Sequence, residues 1–135
     1  MSVLSAFLHP VTTTMEKEVV ISSRFVDEKG NPVPFKIKAI TQEENDKLVK
    51  AATRVEEKNG RRVEWLDSVD YARRLVVAST VSPDFSSKEM CDAYGVVSPL
   101  LVPGKMLLLG EYNQLSDEIA SLSKLNTNME EEVKN

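Results

Sequence analysis

The sequence predicts an α+β fold, an N-terminal β-hairpin packed on a small bundle of four or five short helices. Three observations predict it. Phe35, Ile37 and Ala39 alternate with Lys36 and Lys38, the period of a strand with one wet face. Thr41-x-x-Glu44 and Ser86-x-x-Glu89 have the spacing of capping boxes, in which each side chain satisfies an orphan amide at a helix start. From Val81 to Leu125 the chain is punctuated by Pro83, Gly95, Pro99, Pro103-Gly104 and Gly110, which leaves room for short helices and nothing longer.

Residues 1–15 carry Ser2, Ser5, Pro10 and the threonines Thr12 to Thr14, and read as a flexible N-terminal arm. Its apolar pair, Phe7 and Leu8, is assigned to the protein's own core or to disorder ahead of a partner contact. The hairpin spans 18–40. Glu18 to Val26 is strand-like, with Val19, Val20, Ile21, Phe25 and Val26, and Lys29-Gly30-Asn31-Pro32 supplies the turn. A bare hairpin is marginal in water, so the Phe35/Ile37 face must lie on helices or another sheet.

Thr41 opens a helix at about 42–57, with Leu48, Ala52 and Val55 on one face and Lys58-Asn59-Gly60 as its end. Arg61 to Trp65 is a small strand or an irregular loop. Asp67 caps a helix at 68–79 whose Val69, Ala72, Leu75 and Val76 form a core stripe, and Val81-Ser82-Pro83 breaks it. Further helices are expected at 87–94, ended by Gly95, at 99–109, begun by Ser98-Pro99, and at 111–125. Gly110 divides the last two, and Leu115, Ile119, Leu122 and Leu125 mark the face of the final one. The glutamate run in 126–135 reads as a frayed acidic tail, so a single domain is expected over 16–125.

Composition narrows the function classes. In 135 residues there are 17 Lys+Arg against 21 Asp+Glu, a net charge of -4 that argues against general attraction to nucleic acid or an anionic membrane. The longest apolar runs, such as Met106 to Leu109, are far too short to span a bilayer. The N-terminus has neither a basic segment nor a long apolar core, and a lone Cys91 agrees with a reducing cytoplasm. A soluble, cytoplasmic protein is the expectation.

Chemistry-bearing groupings are sparse. His9 and Cys91 are single residues in different contexts, which argues against a zinc site or a Cys-His nucleophile, and Cys91 is most simply a small packed residue. The five glycines are scattered rather than clustered as a phosphate cradle requires. Glu43/Glu44 and Glu130 to Glu132 read as solvated faces. Arg61, Arg62, Arg73 and Arg74, with Trp65 and Tyr71 among them, are the one grouping that suggests nucleic acid; the ordinary reading puts the helix arginines on a wet face and Trp65 in the core. No catalytic residue, cofactor site or metal site is assigned, and an enzyme is the class least expected.

The sharper feature is the apolar stretch Leu100, Leu101, Val102, Met106, Leu107, Leu108, Leu109 and Tyr112. These exceed one helical stripe, so the stretch is expected to divide between core and a partner surface. Leu100, Leu101, Met106, Leu109 and Tyr112 are the candidate partner-binding residues. Met and Leu on an adaptable surface suit an amphipathic helix.

The ordered segments S-P-D-F-S-S-K-E (82–89), D-A-Y-G-V (92–96), P-L-L-V (99–102), M-L-L-L-G-E-Y (106–112) and L-S-D-E-I (115–119) resemble the phage XkdN-like tail assembly chaperones. The segment R-F-V-D-E-K-G-N-P-V-P-F-K-I-K-A-I-T (24–41) is similar to that family's opening hairpin, so the resemblance covers about 16–125. It implies a non-catalytic chaperone that holds the phage tape measure protein soluble during assembly of a long tail and is absent from the mature virion. Self-association is left open. Two other readings remain: a different tail structural or completion subunit, and a small nucleic-acid-binding regulator.

Overall fold

Alternation at Phe35–Lys38 builds the strand around which the core assembles. In the computed structural model, which describes residues 3–11 and 15–124, this strand (β2) is the middle of a three-stranded antiparallel sheet. On one side lies β1 (Glu16–Val19), in the register Glu16 to Lys38 and Val19 to Phe35. On the other lies β5 (Thr80–Ser82), with Ile37 opposite Thr80 and a bulge between Lys36 and Ile37. Phe35 and Ile37 are 2% and 0% exposed, while Lys36 and Lys38 stay partly wet. The α+β class and the pairing of N-terminal strands stand as the sequence predicts.

Before the sheet, Val3–Leu8 forms a short helix (α1) with no buried residue; Phe7 is 76% exposed, so it does not dock on the core. Thr12 to Thr14, Leu125 and the 126–135 tail lie outside the described residues.

The hairpin differs from the expected span of 18–40. Strand β1 begins at Glu16 and stops at Val19, and residues 20–34 form a long folded connection. Local side-chain bonds draw this segment out of the ladder. The Ser22 hydroxyl accepts from the Arg24 amide at 3.0 Å, and the Asp27 carboxylate accepts from the amides of Lys29 at 2.8 Å and Asn31 at 3.0 Å. The predicted turn is present, with Gly30 at φ +83 and an isolated bridge between Val26 and Pro32. Pro32 and Pro34 have no amide to give a strand. Ile21 is nevertheless buried and Phe25 half-buried, so the connection closes one side of the core.

Helix α2 (Gln42–Ala52) opens with the predicted Thr41/Glu44 capping box. It ends five residues early. Residues expected in helix instead form β3 (Thr53–Lys58), paired with β4 (Arg61–Leu66) as a separate two-stranded ribbon. The cause is local. Asn59 and Gly60 have φ of +53 and +76, the two-residue primed turn whose twist suits antiparallel strands, and Thr53 and Val55 are β-branched. Val55 therefore leaves the helical face and is exposed, and Trp65, expected in the core, is 44% exposed.

Helix α3 (Ser68–Ser79) is capped by Asp67 as predicted, but its buried positions are Val76 and Ser79. Val69 is 59% exposed and Ala72 is exposed, so neither belongs to the core; the first turns of α3 lie at the ribbon base beside α2. There the Tyr71 hydroxyl donates to Asn45, and Arg54 reaches Asp67 and Asp70 at 3.5 and 3.3 Å.

Helix α4 (Lys88–Ala93) is capped by Ser87, whose hydroxyl accepts from the Met90 amide at 3.2 Å, and not by the expected Ser86 box. Asp84 makes the difference: its carboxylate and carbonyl accept from the amides of Ser86 and Ser87, which holds both residues in the preceding turn. Gly95, at φ +66, ends α4 as predicted. The expected helix at 99–109 is in fact a 3-10 turn (Pro99–Leu101), begun by Ser98, followed by α5 (Val102–Met106). Leu107 and Leu108 are extended, and α6 (Leu109–Ser123) follows, so Gly110 lies inside a helix instead of dividing two. Leu115 and Ile119 of α6 are fully buried, and Leu122 is half-buried against the same core, with Phe35, Ile37, Val76, Phe85 and Val102.

Candidate partner-binding surface

The break between α5 and α6 is held from the far side of the chain by Arg24. Its guanidinium forms a forked pair with Glu111, with Nε at 3.0 Å from Oε2 and the second nitrogen on Oε1, and it also donates to the Met106 carbonyl at 3.1 Å. Glu111 in turn accepts the Leu108 amide at 2.8 Å, which caps α6 and fixes where it starts. The Arg24 guanidinium, the Ser22 hydroxyl and the Leu108 amide together hold the Glu111 carboxyl far below the ordinary 4.5, at about 2. Arg24 also lies 4.9 Å from the centroid of the Phe25 ring. One residue therefore ties the 20–34 connection to the α5–α6 junction.

Between those two segments is an apolar cleft of about 120 Å³, lined by Phe25, Val33, Pro34, Phe35, Ser82, Pro83 and Met106. Pockets for small organic ligands occupy about 300–1,000 Å³ and carry placed polar groups. This cleft is too small and too apolar for that class, and its size suits a single apolar side chain.

The structure separates the five candidate residues. Met106 is 9% exposed and belongs to the core, where it forms a wall of the cleft. Tyr112 and Leu100 are half-buried, Tyr112 against the core. Leu101 is 43% exposed and Leu109 79% exposed, and Leu108, which was not singled out, is 62% exposed. The expected division of Leu100–Tyr112 between core and surface is what the burial values give. Sequence reasoning missed Arg24, whose partners Met106 and Glu111 lie more than eighty positions away, and the cleft residues of the 20–34 connection, which meet Ser82, Pro83 and Met106 only through the fold.

The remaining candidates are placed as follows. Cys91 is buried, with its Sγ 3.8 Å from the Phe85 carbonyl oxygen, whereas His9 is exposed. Arg62 pairs with Glu64 at 3.0 Å and Arg74 with Asp70 at 2.7 Å. Carboxylates thus occupy two of the four guanidinium groups that a phosphate would need, while Arg61 and Arg73 are exposed. Among the described residues there is no cluster of three or more His, Cys, Asp or Glu that could hold a metal ion, and no helix long and apolar enough to cross a membrane.

Comparison with known proteins decides the family. The profile of the phage XkdN-like tail assembly chaperone proteins matches residues 4–135. The chain belongs to the XkdN-like tail assembly chaperone family. It is 41% identical to the phage-like element PBSX protein XkdN of Bacillus subtilis (strain 168), over 98% of this chain and 93% of that protein. It is 39% identical to the uncharacterised protein YqbN of the same strain, over 95% of this chain and 88% of YqbN. The crystal structure of the protein YqbN superposes with a TM-score of 0.76 at 34% identity, covering 93% of this chain and 99% of that one. The Arg24–Glu111 pair holds the α5–α6 junction that forms one side of the cleft.

Proposed function

We propose that this protein is a non-catalytic chaperone of the host cytoplasm that keeps the phage tape measure protein soluble by covering an amphipathic segment of it. The observation that carries the reading is the cleft walled by Met106 and Phe35, followed in the chain by the exposed Leu108 and Leu109. One apolar side chain of the partner helix enters the cleft, and the leucines cover neighbouring apolar positions. A long protein with uncovered apolar helix stripes aggregates, and masking those stripes is what a holding chaperone supplies. Interfaces concentrate their energy in a few large side chains, so Leu108, Leu109 and the cleft residues dominate over Leu100 and Tyr112 at the edge. Met106 acts from within the core, as an adaptable wall.

The test is co-expression with the cognate tape measure protein. Leu108→Asp, Leu109→Asp and Val33→Glu each place a charge on the surface at an exposed position, so each variant is expected to keep its melting temperature. Each is also expected to send the tape measure protein to the insoluble fraction. If all three folded variants keep it soluble, this surface is not where the partner binds.

A further inference from the structure

The ribbon β3–β4 plays no part in the reading above. Every residue of β4 is exposed, as are Val55 to Lys58 of β3. Its base is pinned by the Asp67 amide donating to the Ala52 carbonyl at 2.9 Å and by Arg54 on Asp67 and Asp70. Among the described residues no third strand joins it, so each strand has an outer edge with alternate backbone groups directed away from the ribbon. Proteins usually blunt such edges with charge, because an open edge is a template for another strand.

On β4 the charges have a particular order. Arg61, Arg62, Val63, Glu64 and Trp65 read as two cations, an apolar centre, an anion and an aromatic ring. Laid antiparallel against itself with Val63 opposite Val63, this strand sets Arg62 opposite Glu64 twice and Arg61 opposite Trp65 twice. Both contacts are favourable, an ion pair and a cation over an aromatic face. The opposite arrangement, like charges face to face, would mark an edge built to stay single. Strand β3 offers nothing equivalent. Centred on Glu56 it opposes Glu56 to itself and Arg54 to Lys58, and centred on Val55 it needs Arg54, which Asp67 and Asp70 already hold. Within one chain Arg62 lies 3.0 Å from Glu64, and a carboxylate has room for a second guanidinium.

We propose that two copies of this chain associate through their β4 edges, antiparallel and centred on Val63, to make a continuous four-stranded sheet. The contact is isologous, so it closes at a dimer. It is also short, well below a standard interface of about 1,600 Å², so the association is weak and concentration-dependent. The proposal is independent of the tape measure reading, since its surface shares no residue with the cleft or with Leu108 and Leu109.

Sedimentation equilibrium across about 10–300 µM reads the dimer, with four samples compared beside the parent. Arg62→Glu alone and Glu64→Arg alone each turn both symmetric ion pairs repulsive, and each raises the dissociation constant roughly ten-fold or more. The double swap Arg62→Glu/Glu64→Arg restores the dimer, because the crossed pairs are complementary again. An equimolar mixture of the two single variants forms the heterodimer, while each variant alone dimerises roughly ten-fold or more weakly than the parent. Both positions are exposed, and circular dichroism checks that each variant is folded. A parent that stays monomeric at 300 µM overturns the proposal. So do single variants that dimerise like the parent, or a double swap that fails to recover.

Discussion

Removing the Phe35 ring should cost this protein more than any surface change, and the structure sets the size of the loss. Phe35 is 2% exposed and packs between Phe25 and Phe85, with ring centroids at 5.8 and 6.5 Å and tilted geometry. Truncation of a buried phenylalanine to alanine costs about 3–5 kcal/mol, and tilted aromatic pairs add about 0.5–1.5 kcal/mol beyond area. These contacts favour the upper part of the range. One side of the ring, however, lines the cleft, so part of the new space opens to solvent and the cavity penalty falls. We therefore expect Phe35→Ala to lose about 4 kcal/mol. At about 0.05–0.15 kcal/mol per residue a chain of this length holds roughly 7–20 kcal/mol, so the variant still folds. With an unfolding entropy of about 2.1 cal/mol/K per residue, the melting temperature falls by about 14 °C. Urea titration followed by far-ultraviolet circular dichroism measures the loss, with an unchanged m value as the condition for reading it as stability. Lys36→Ala, on the wet face of the same strand, is the control and stays within about 0.5 kcal/mol. A loss below about 1 kcal/mol for Phe35→Ala would refute the reasoning, since it would mean that β2 does not present this face to the core.

Other perturbations probe the junction and the ribbon. The Glu111 carboxyl sits at about 2 in the folded protein against an ordinary 4.5, so its stabilisation is fully present above about 4.5 and is lost as the pH falls through about 2. Glu111→Gln accordingly melts below the parent near neutral pH, and the gap narrows between about pH 5 and pH 2; a gap that stays constant over that range counts against the Arg24 pairing. In the ribbon, Gly60→Ala forces a side chain into φ +76 with open space around the new Cβ, so the cost is conformational, about 1–2 kcal/mol. Amide exchange across 53–66 should speed up roughly five-fold or more while the core amides hold, and unchanged protection of the ribbon would show that Gly60 is not in the left-handed conformation.

How much was legible divides by the range of the interaction. The Thr41/Glu44 box, the Asp67 cap, the Ser98-Pro99 start, the Gly95 stop and the buried Phe35/Ile37 face all follow from groups within a few residues of one another, and the structure keeps each of them. Asn59-Gly60 was local as well, yet the same pair suits a helix end and a primed hairpin turn, because both need positive φ. With Thr-Arg-Val-Glu-Glu before it, the helical alternative was as readable as the strand. The pairing of β3 with β4 removed the ambiguity. Ser86 and Ser87 posed a similar choice, which the neighbouring Asp84 turn resolved in favour of Ser87.

The candidate surface was legible as a stretch but not as residues. Composition alone required that Leu100–Tyr112 be shared between core and exterior, because one helix face cannot hold that many large side chains. Which residue went which way depended on where α5 stopped, and that is fixed by Arg24 reaching across the fold to Met106 and Glu111. Met106 is consequently core and Leu109 exposed, although the two are equally apolar in sequence terms. The sequence by itself determined the class of fold, the capped starts of α2 and α3, the Gly95 stop and the apolar character of the candidate surface, since periodicity and capping act between neighbours. Only the tertiary structure decided the third strand of the sheet and the cleft, since each is made by groups that chain order keeps far apart and that only packing brings together, whereas the ribbon is local and its pairing resolved a choice the sequence left open.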